Sequence, residues 1–183
     1  MLRFFDFTFA LLGLVFGFPV LLVIYVLGLF DTGSPLFWQE RVGRNKKPFN
    51  LVKFRTMSID TASVASHLAS SESITKLGGF LRRTKLDELP QLWNVLKGEM
   101  SLVGPRPNLF NQEELIIERD SHGAYAARPG ITGLAQVSDV DMSTPTLLAQ
   151  TDAKMLKEMS VANYFKYIFQ TVAGKGTGDR VKD

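Results

Sequence analysis

Two adjacent carboxylates, Asp87 and Glu88, stand immediately before a proline and an apolar helical pattern in the segment TKLDELPQLWNVLKGEM. Such a pair can do acid–base or nucleophilic chemistry where a folded site holds it against a substrate. Acidic residues at a helix start also have a structural explanation, because the first-turn N–H groups lack partners and the helix dipole favours negative charge. For this segment taken alone, capping is the favoured interpretation.

Arginines occur in two loops that glycine and proline make rigid, Arg106 in GPRP and Arg128 in RPGITG. A guanidinium fixed in this way suits bidentate contact with a phosphate. One such loop is better explained by an arginine that caps carbonyls or pairs with a glutamate. Two such loops, with the basic LRRTK beside the carboxylates and an apolar N-terminal segment, indicate a diphosphate-containing substrate handled at a membrane.

The apolar segment from Phe7 to Phe30 carries no charged side chain and no cleavage-site pattern, so we expect it to stay attached. As a straight helix it would be about 36 Å long, enough to cross a hydrocarbon core, so a single span is the default. Pro19 divides it into halves of about 18 Å, each too short to cross. Basic residues from Arg41 onwards place the C-terminal flank in the cytoplasm and Arg3 is a weak signal for the same side, so entry and exit through one leaflet is the alternative to the favoured single span.

Composition excludes several other classes of protein. The 183 residues include no cysteine, which rules out disulfides and thiolate metal sites. The two histidines, His67 and His122, lack metal-ligand spacing, so a zinc site is not expected. A net charge of +3 fits a membrane surface or phosphate-bearing ligands and is too small to indicate nucleic acid.

Several blocks of sequence, taken in order and spacing, resemble one family. From Arg3 to about Lys175 the chain resembles the bacterial sugar transferases, specifically the small monotopic phosphoglycosyl transferases. The matching blocks are RFFD at Arg3–Asp6, Pro19 in the apolar run, QERVG at Gln39–Gly43, KFRTM at Lys53–Met57, the nearly unbroken match over Leu77–Pro107, and RPGITGLAQV at Arg128–Val137.

The resemblance implies transfer of a phospho-sugar from a UDP-sugar to a polyprenyl phosphate, usually undecaprenyl phosphate, with release of UMP. It implies that Asp87 is the nucleophile, forms a covalent phospho-sugar intermediate and lies beside a Mg²⁺ ion, and that Glu88 does acid–base work or supports the site. This would be the first membrane step of bacterial glycoconjugate synthesis, on the cytoplasmic face of the inner membrane. The candidate phosphate contacts are Arg82, Arg106 and Arg128, with Lys53 and Arg55 weaker because lipid head groups are alternative partners.

For the anchor, the resemblance implies a re-entrant helix broken at Pro19, with both ends cytoplasmic. Phe18 stands where the family often has serine, and a single span therefore stays an alternative. Leu134 and the segment Ser138–Thr144 also depart from the family pattern, which leaves the choice of sugar open. The rival functions are a membrane-anchored interaction module, in which Asp87 and Glu88 only cap a helix, and a catalytically inactive scaffold.

The predicted fold is one membrane-embedded α/β domain, mostly helical with little strand, with interfacial amphipathic helices and the option of a homodimer. Residues 1–31 would be the anchor, 32–173 the catalytic domain and 174–183 a flexible basic tail. Local patterns predict extended segments including FNLVKF, a serine-rich surface loop over Ser58–Ser73, a short amphipathic helix in NQEELIIERD and a helical region from Thr146 to about Gly174.

Overall fold

A computed structural model describes residues 1–61 and 71–176 of the chain, so most of the predicted 58–73 loop and the end of the predicted 174–183 tail lie outside the described residues. The described part is mostly helical with few strands, as predicted. The helices are α1 (Leu2–Asp31), α2 (Lys76–Thr84), α3 (Gln91–Lys97), α4 (Glu113–Ser121), α5 (Leu134–Val137), α6 (Pro145–Lys157) and α7 (Val161–Val172), and the strands are β1 (Leu36–Val42), β2 (Pro48–Phe54), β3 (Ser101–Val103) and β4 (Gly130–Thr132).

Helix α1 is long and apolar enough to cross a membrane, and it is largely unburied by the rest of the chain. Its most apolar window has a mean hydropathy of 2.7 and is only 11% buried. Large side chains such as Phe16, Phe18 and Val23 are exposed. The resemblance implies a helix broken at Pro19, whereas the helix continues through that residue as one element, Leu2–Asp31. The missing proline N–H removes one helical hydrogen bond and does not end the helix here.

The buried side of α1 packs along the remainder of the protein. Ala10 is fully buried in a cluster with Val95 and Met100. A Cβ built on Gly13 would lie 2.8 Å from Cδ1 of Leu92, so glycine allows α3 to approach this closely. Further along, Ile24 packs in a second cluster with side chains of β2 and α2. Helix α1 therefore contacts the rest of the chain over most of its length.

Strands β1 and β2 form an antiparallel hairpin in which Leu36 pairs with Phe54 and Val42 with Pro48. This confirms the extended structure predicted for FNLVKF. The fully buried Asn94 fixes the hairpin to α3: its Oδ1 accepts from the Val52 N–H at 3.1 Å and its Nδ2 donates to the Asn50 carbonyl at 2.8 Å. Side-chain bonds to strand groups hold α3 in register with β2.

The second sheet consists of two short parallel strands, β3 and β4, and it brings the two glycine-proline loops together. The Gly104 N–H donates to the Thr132 carbonyl at 2.8 Å, and the Gly130 N–H to the Pro105 carbonyl at 2.8 Å. A Cβ built on Gly130 would lie 2.0 Å from the Gly104 nitrogen. Only glycine permits so close a backbone approach.

Candidate active site

Asp87 and Glu88 lie in a single 3₁₀ turn, Leu86–Glu88, between α2 and α3. Helix α2 ends at Thr84, and Lys85 adopts the left-handed conformation with φ of 57°, which redirects the chain into the turn. Helix α3 begins only at Gln91, after Pro90. The carboxylate pair therefore precedes the first turn of α3, in a turn of its own.

Both carboxylates are largely removed from solvent. Asp87 is only 4% exposed, and the Glu88 side chain is 13% exposed. A charge withdrawn from water needs a charged or hydrogen-bonding partner. For Glu88 that partner is Arg106, whose Nη2 donates to Glu88 Oε1 at 2.8 Å. The GPRP loop thus delivers its arginine to the predicted catalytic pair.

Arg106 is in turn fixed through its backbone. Its carbonyl accepts from Nη1 of Arg119 at 2.8 Å, and the same Nη1 donates to Asn108 Oδ1 at 3.0 Å. Arg119 forms a buried ion pair with Asp152, with Nε and Nη2 at 2.9 and 2.7 Å from Oδ2. A buried pair between α4 and α6 therefore sets the position from which Arg106 reaches Glu88.

Lys85 directly precedes the carboxylate turn, and in the sequence it stood out only as part of the basic LRRTK. Its Nζ donates to the Lys175 carbonyl at 2.7 Å. Burial lowers the pKa of Lys85, Glu88 opposes that shift, Arg106 adds to it and Asp139 opposes it. Asp139 belongs to the atypical segment Ser138–Thr144. The charges around Asp87 and Glu88 therefore include Lys85 and Asp139, neither of which was predicted from the sequence as a site residue.

The other predicted phosphate contacts are more distributed. Arg82, on α2, donates from Nε to Thr56 Oγ1 at 2.9 Å. Arg55 donates from Nε to the Ser34 carbonyl at 2.9 Å, and its guanidinium lies 5.3 Å from the Phe37 ring centre. Nζ of the buried Lys53 lies 5.9 Å from that ring centre. Arg82 thus lies on α2, the helix that leads into the carboxylate turn, whereas Lys53 and Arg55 lie against the Phe37 ring on the hairpin.

Arg128 points elsewhere. Its Nε donates to the Gly98 carbonyl at 2.8 Å, at the C-terminal end of α3. Burial lowers the pKa of Arg128, nearby Arg3 and Arg44 lower it further, and Asp6 opposes them. None of these charges belongs to the carboxylate turn. The structure therefore brings Arg106 to Glu88 and gives Arg128 a different set of neighbours.

The donor set at the turn bears on the predicted Mg²⁺ ion. Within residues 1–61 and 71–176, no group of three or more His, Asp or Glu side chains is placed to hold a metal ion. Mg²⁺ is commonly held by one or two carboxylates together with substrate phosphates and water. Asp87 and Glu88 fit that pattern, provided that the substrate supplies further oxygen ligands.

Comparison of the sequence with known proteins assigns the chain to a family. The sequence profile described as "Bacterial sugar transferase" matches residues 1–176. The UDP-galactose-lipid carrier transferase of Erwinia amylovora is 36% identical over 193 residues, covering 93% of this chain. The undecaprenyl-phosphate galactose phosphotransferase of Salmonella typhimurium is 34% identical over 189 residues, covering 92% of this chain.

A third relative is closer in size. The UDP-glucose:undecaprenyl-phosphate glucose-1-phosphate transferase of Caulobacter vibrioides is 38% identical over 179 residues, which cover 93% of this chain and 67% of that protein. The match covers only 39% of the Erwinia and Salmonella proteins. The chain therefore corresponds to part of those longer relatives.

Proposed function

The chain belongs to the bacterial sugar transferase family, and from that premise we propose that it transfers a phospho-sugar from a UDP-sugar to undecaprenyl phosphate and releases UMP. The observation that carries the proposal is the buried turn in which Asp87 adjoins Glu88, with Arg106 bonded to Glu88 at 2.8 Å. The names of the relatives supply the donor and acceptor classes. The product would enter a bacterial glycan such as O-antigen, capsule, exopolysaccharide or a glycoprotein glycan.

The reaction proceeds in two displacements. In the first, a carboxylate oxygen of Asp87 attacks the phosphorus that bears the sugar, the bond from that phosphorus to the bridging oxygen breaks, and UMP departs with that oxygen. In the second, an oxygen of the lipid phosphate attacks the same phosphorus and regenerates the Asp87 carboxylate. Two steps allow the soluble donor product to leave before the lipid reacts.

The neighbouring side chains assist by charge and position. The Arg106 guanidinium lies at the carboxylate turn, and a planar fork of N–H groups can bind a phosphate oxygen. Glu88 holds that fork in place and can accept or donate a proton as the lipid phosphate enters. When bound by Asp87, Glu88 and the diphosphate, Mg²⁺ would neutralise charge on the departing UMP.

We further propose that both ends of α1 stay on the cytoplasmic side of the bacterial inner membrane, with the exposed apolar surface of the helix inserted from that side. Near its start, Arg3 donates from Nη1 to the Met100 carbonyl at 3.1 Å. At its end, Asp31 Oδ2 accepts from Thr75 Oγ1 at 2.7 Å. A helix that projected away from the domain through a bilayer would lose one of these attachments. Contacts at both ends support one-sided insertion.

Cysteine labelling tests this topology, since the chain has no native cysteine. Cysteines introduced at Leu2 and at Thr32 should both be shielded from a membrane-impermeant thiol reagent in intact cells, and both should react after the cells are opened. Reaction at one end only in intact cells would establish a single span instead.

The catalytic proposal is tested by Asp87→Asn in the full chain, with UMP release measured from a panel of UDP-sugars plus undecaprenyl phosphate and Mg²⁺. We expect turnover to be abolished, because an amide cannot form the phospho-sugar adduct. Loss of stability should be about 1 kcal/mol or less, since asparagine has nearly the same shape and keeps a side-chain oxygen that accepts hydrogen bonds. Glu88→Gln should retain residual activity, because acid–base assistance contributes roughly 10² to 10⁴ in rate.

The matched control is Glu114→Gln, which removes an exposed carboxylate from α4 and should leave turnover unchanged. Intact mass of the wild-type protein supplied with donor and no acceptor should show the added phospho-sugar. A well-folded Asp87→Asn protein with near-normal UMP release would make Asp87 a structural residue. Absence of UMP release from any UDP-sugar in the wild type would favour the interaction module.

A further inference from the structure

Three arginines, Arg3, Arg44 and Arg128, gather at the N-terminal end of α1, where, among the described residues, Asp6 is the one carboxylate that acts on Arg128. Arg3 donates from Nη2 to the Leu96 carbonyl at 3.5 Å and also to that of Val95. A Cβ built on Gly98 would lie 3.4 Å from the same Nη2, and the Gly98 carbonyl accepts from Arg128. Arg3 and Arg128 therefore converge on the C-terminal end of α3.

Arg44 joins them from the β1–β2 turn. Its Nε donates to the Ala126 carbonyl at 2.9 Å, two residues before Arg128 in the chain. In the part of the chain that the structure describes, that bond and the Arg128–Gly98 bond are the only hydrogen bonds of Arg44 and Arg128. The Nη groups of both side chains thus remain available to a ligand.

Asp6 is the carboxylate among these cations, and its oxygens are already used. Oδ1 accepts from Ser101 Oγ, the Leu102 N–H and Tyr164 OH at 2.9, 2.8 and 2.8 Å. Oδ2 lies 3.6 Å from Arg3 Nη1. No ion pair of Arg44 or Arg128 occurs within the described ranges. Partial negative charge at the end of α3 offsets only a fraction of this positive charge.

The location identifies the class of anion. Arg3 and Asp6 are the only charged residues in the first thirty, and they stand at the end of the apolar run. Charged residues flanking a membrane-inserted segment lie at head-group depth, where the anions are lipid phosphates. Exposed Phe4 and Phe7 beside them provide apolar surface for an acyl chain.

We propose that Arg3, Arg44 and Arg128 form a binding site for the phosphate group of a membrane lipid, separate from the carboxylate turn. The proposal rests on the membrane attachment proposed above and does not depend on phospho-sugar transfer. Two lipids carry this chemistry, an anionic phospholipid of the bilayer and the polyprenyl phosphate acceptor, and the same site chemistry serves either.

The test uses the full chain, delipidated in a non-ionic detergent and mixed with phosphatidylglycerol, undecaprenyl phosphate or phosphate-free diacylglycerol, with bound lipid counted by native mass spectrometry. We expect the wild type to retain the phosphate lipids and not diacylglycerol. Arg44→Gln combined with Arg128→Gln should weaken retention by about tenfold or more, a loss of about 1.4 kcal/mol. Lys46→Gln, which removes one positive charge from the same turn as Arg44, should retain lipid as the wild type does and is the matched control for Arg44→Gln alone.

Competition between the two phosphate lipids identifies which of them occupies the site. Displacement of phosphatidylglycerol by undecaprenyl phosphate makes this the acceptor's phosphate site, and failure to displace makes it a site for bilayer lipid; both support the proposal. Unchanged retention in the double variant, or displacement by UMP or a UDP-sugar, overturns it. Arg44→Gln alone, at an exposed position, provides the same test if the double variant does not fold. UMP release is measured in parallel, so that failure of the proposed function is recognised separately.

Discussion

The two glycine-proline loops look alike in sequence, and the structure gives their arginines different partners. Their backbones touch at Gly104 and Gly130, so both arginines start from one place in the fold. Arg106 leaves it toward Glu88 and forms an ion pair at 2.8 Å. Arg128 leaves it toward the Gly98 carbonyl at the end of α3 and has cations as neighbours.

The difference shows that the rigidity of a loop does not determine which group its arginine contacts. Glycine and proline fix the backbone of each loop, which is visible in the sequence. The partner of each guanidinium comes from a distant segment: the carboxylate turn for Arg106, and the C-terminal end of α3 for Arg128. An arginine paired with a carboxylate, as Arg106 is with Glu88, suits a site where negative charge develops during a reaction. An arginine without a carboxylate partner suits a permanently charged anion such as a phosphate group.

The largest expected effect comes from removing the support of the Arg106 loop by Arg119→Met. Arg119 and Asp152 are fully buried, and the substitution leaves the Asp152 charge without its partner. Breaking a buried pair in this way costs about 3–5 kcal/mol. Thermal unfolding in detergent should show a large drop in midpoint. Lipid retention at Arg128 should fall only in proportion to the loss of folded protein.

The control for that experiment is Arg119→Met combined with Asp152→Leu, which removes both charges. Apolar replacement of a whole buried pair is often neutral or stabilising, so much of the lost stability should return. Activity should not return with it, because the Arg106 carbonyl still lacks its donor. Full recovery of UMP release in the double variant would show that Arg119 does not position Arg106.

Gly130→Ala separates the two loops and should have the next largest effect. The new Cβ would lie 2.0 Å from the Gly104 nitrogen, so one backbone must move. Overpacking of this kind typically costs about 1–3 kcal/mol. Gly17→Ala is the matched control, since nothing lies within 4 Å of a Cβ at Gly17. Equal unfolding midpoints for the two variants would show that the close approach of the loops is unimportant.

Arg106→Lys tests the roles of the two arginines directly, in the first half-reaction. Lysine keeps the charge and loses the planar fork, so it cannot hold Glu88 and a phosphate oxygen with the same geometry. We expect UMP release without acceptor to slow by roughly 10- to 100-fold, equivalent to about 1.4–2.7 kcal/mol. Arg128→Lys should slow that half-reaction less. A larger effect at Arg128 would contradict the separation of the two sites.

Much of the architecture could be predicted from local sequence patterns. The apolar helix occurs, although without the expected break at Pro19, and so do the strand in FNLVKF and the helix in NQEELIIERD. Each follows from the spacing of polar and apolar residues within its own segment. The helical region predicted from Thr146 is two helices, since Ser160 starts a new one by accepting from the Asn163 N–H at 3.1 Å. A serine cap within an apolar pattern is easily overlooked.

The site was less predictable than the fold. The carboxylate pair could be chosen as a candidate from the sequence because its two residues adjoin in the chain. The direction of Arg128, the support of Arg106 by Arg119, and the proximity of Lys85 to Asp139 depend on contacts between residues far apart in sequence. No local pattern encodes such contacts, and Arg119 in particular reads as an ordinary polar residue of an amphipathic helix.

The smallest expected effect is that of Lys46→Gln, and it contrasts with Arg119→Met, because Lys46 of the β1–β2 turn pairs with Asp120, the neighbour of Arg119 on α4. Lys46 Nζ lies 2.8 Å from Oδ2 of Asp120, and the two side chains are 48% and 52% exposed. An exposed pair contributes about 0–1 kcal/mol, because water competes and the side chains lose freedom, and salt weakens it further. The unfolding midpoint should change little at low salt and less at high salt. Asp120 adjoins Arg119, so a shift as large as that of Arg119→Met would mean that position on α4, rather than burial, governs the strength of these pairs.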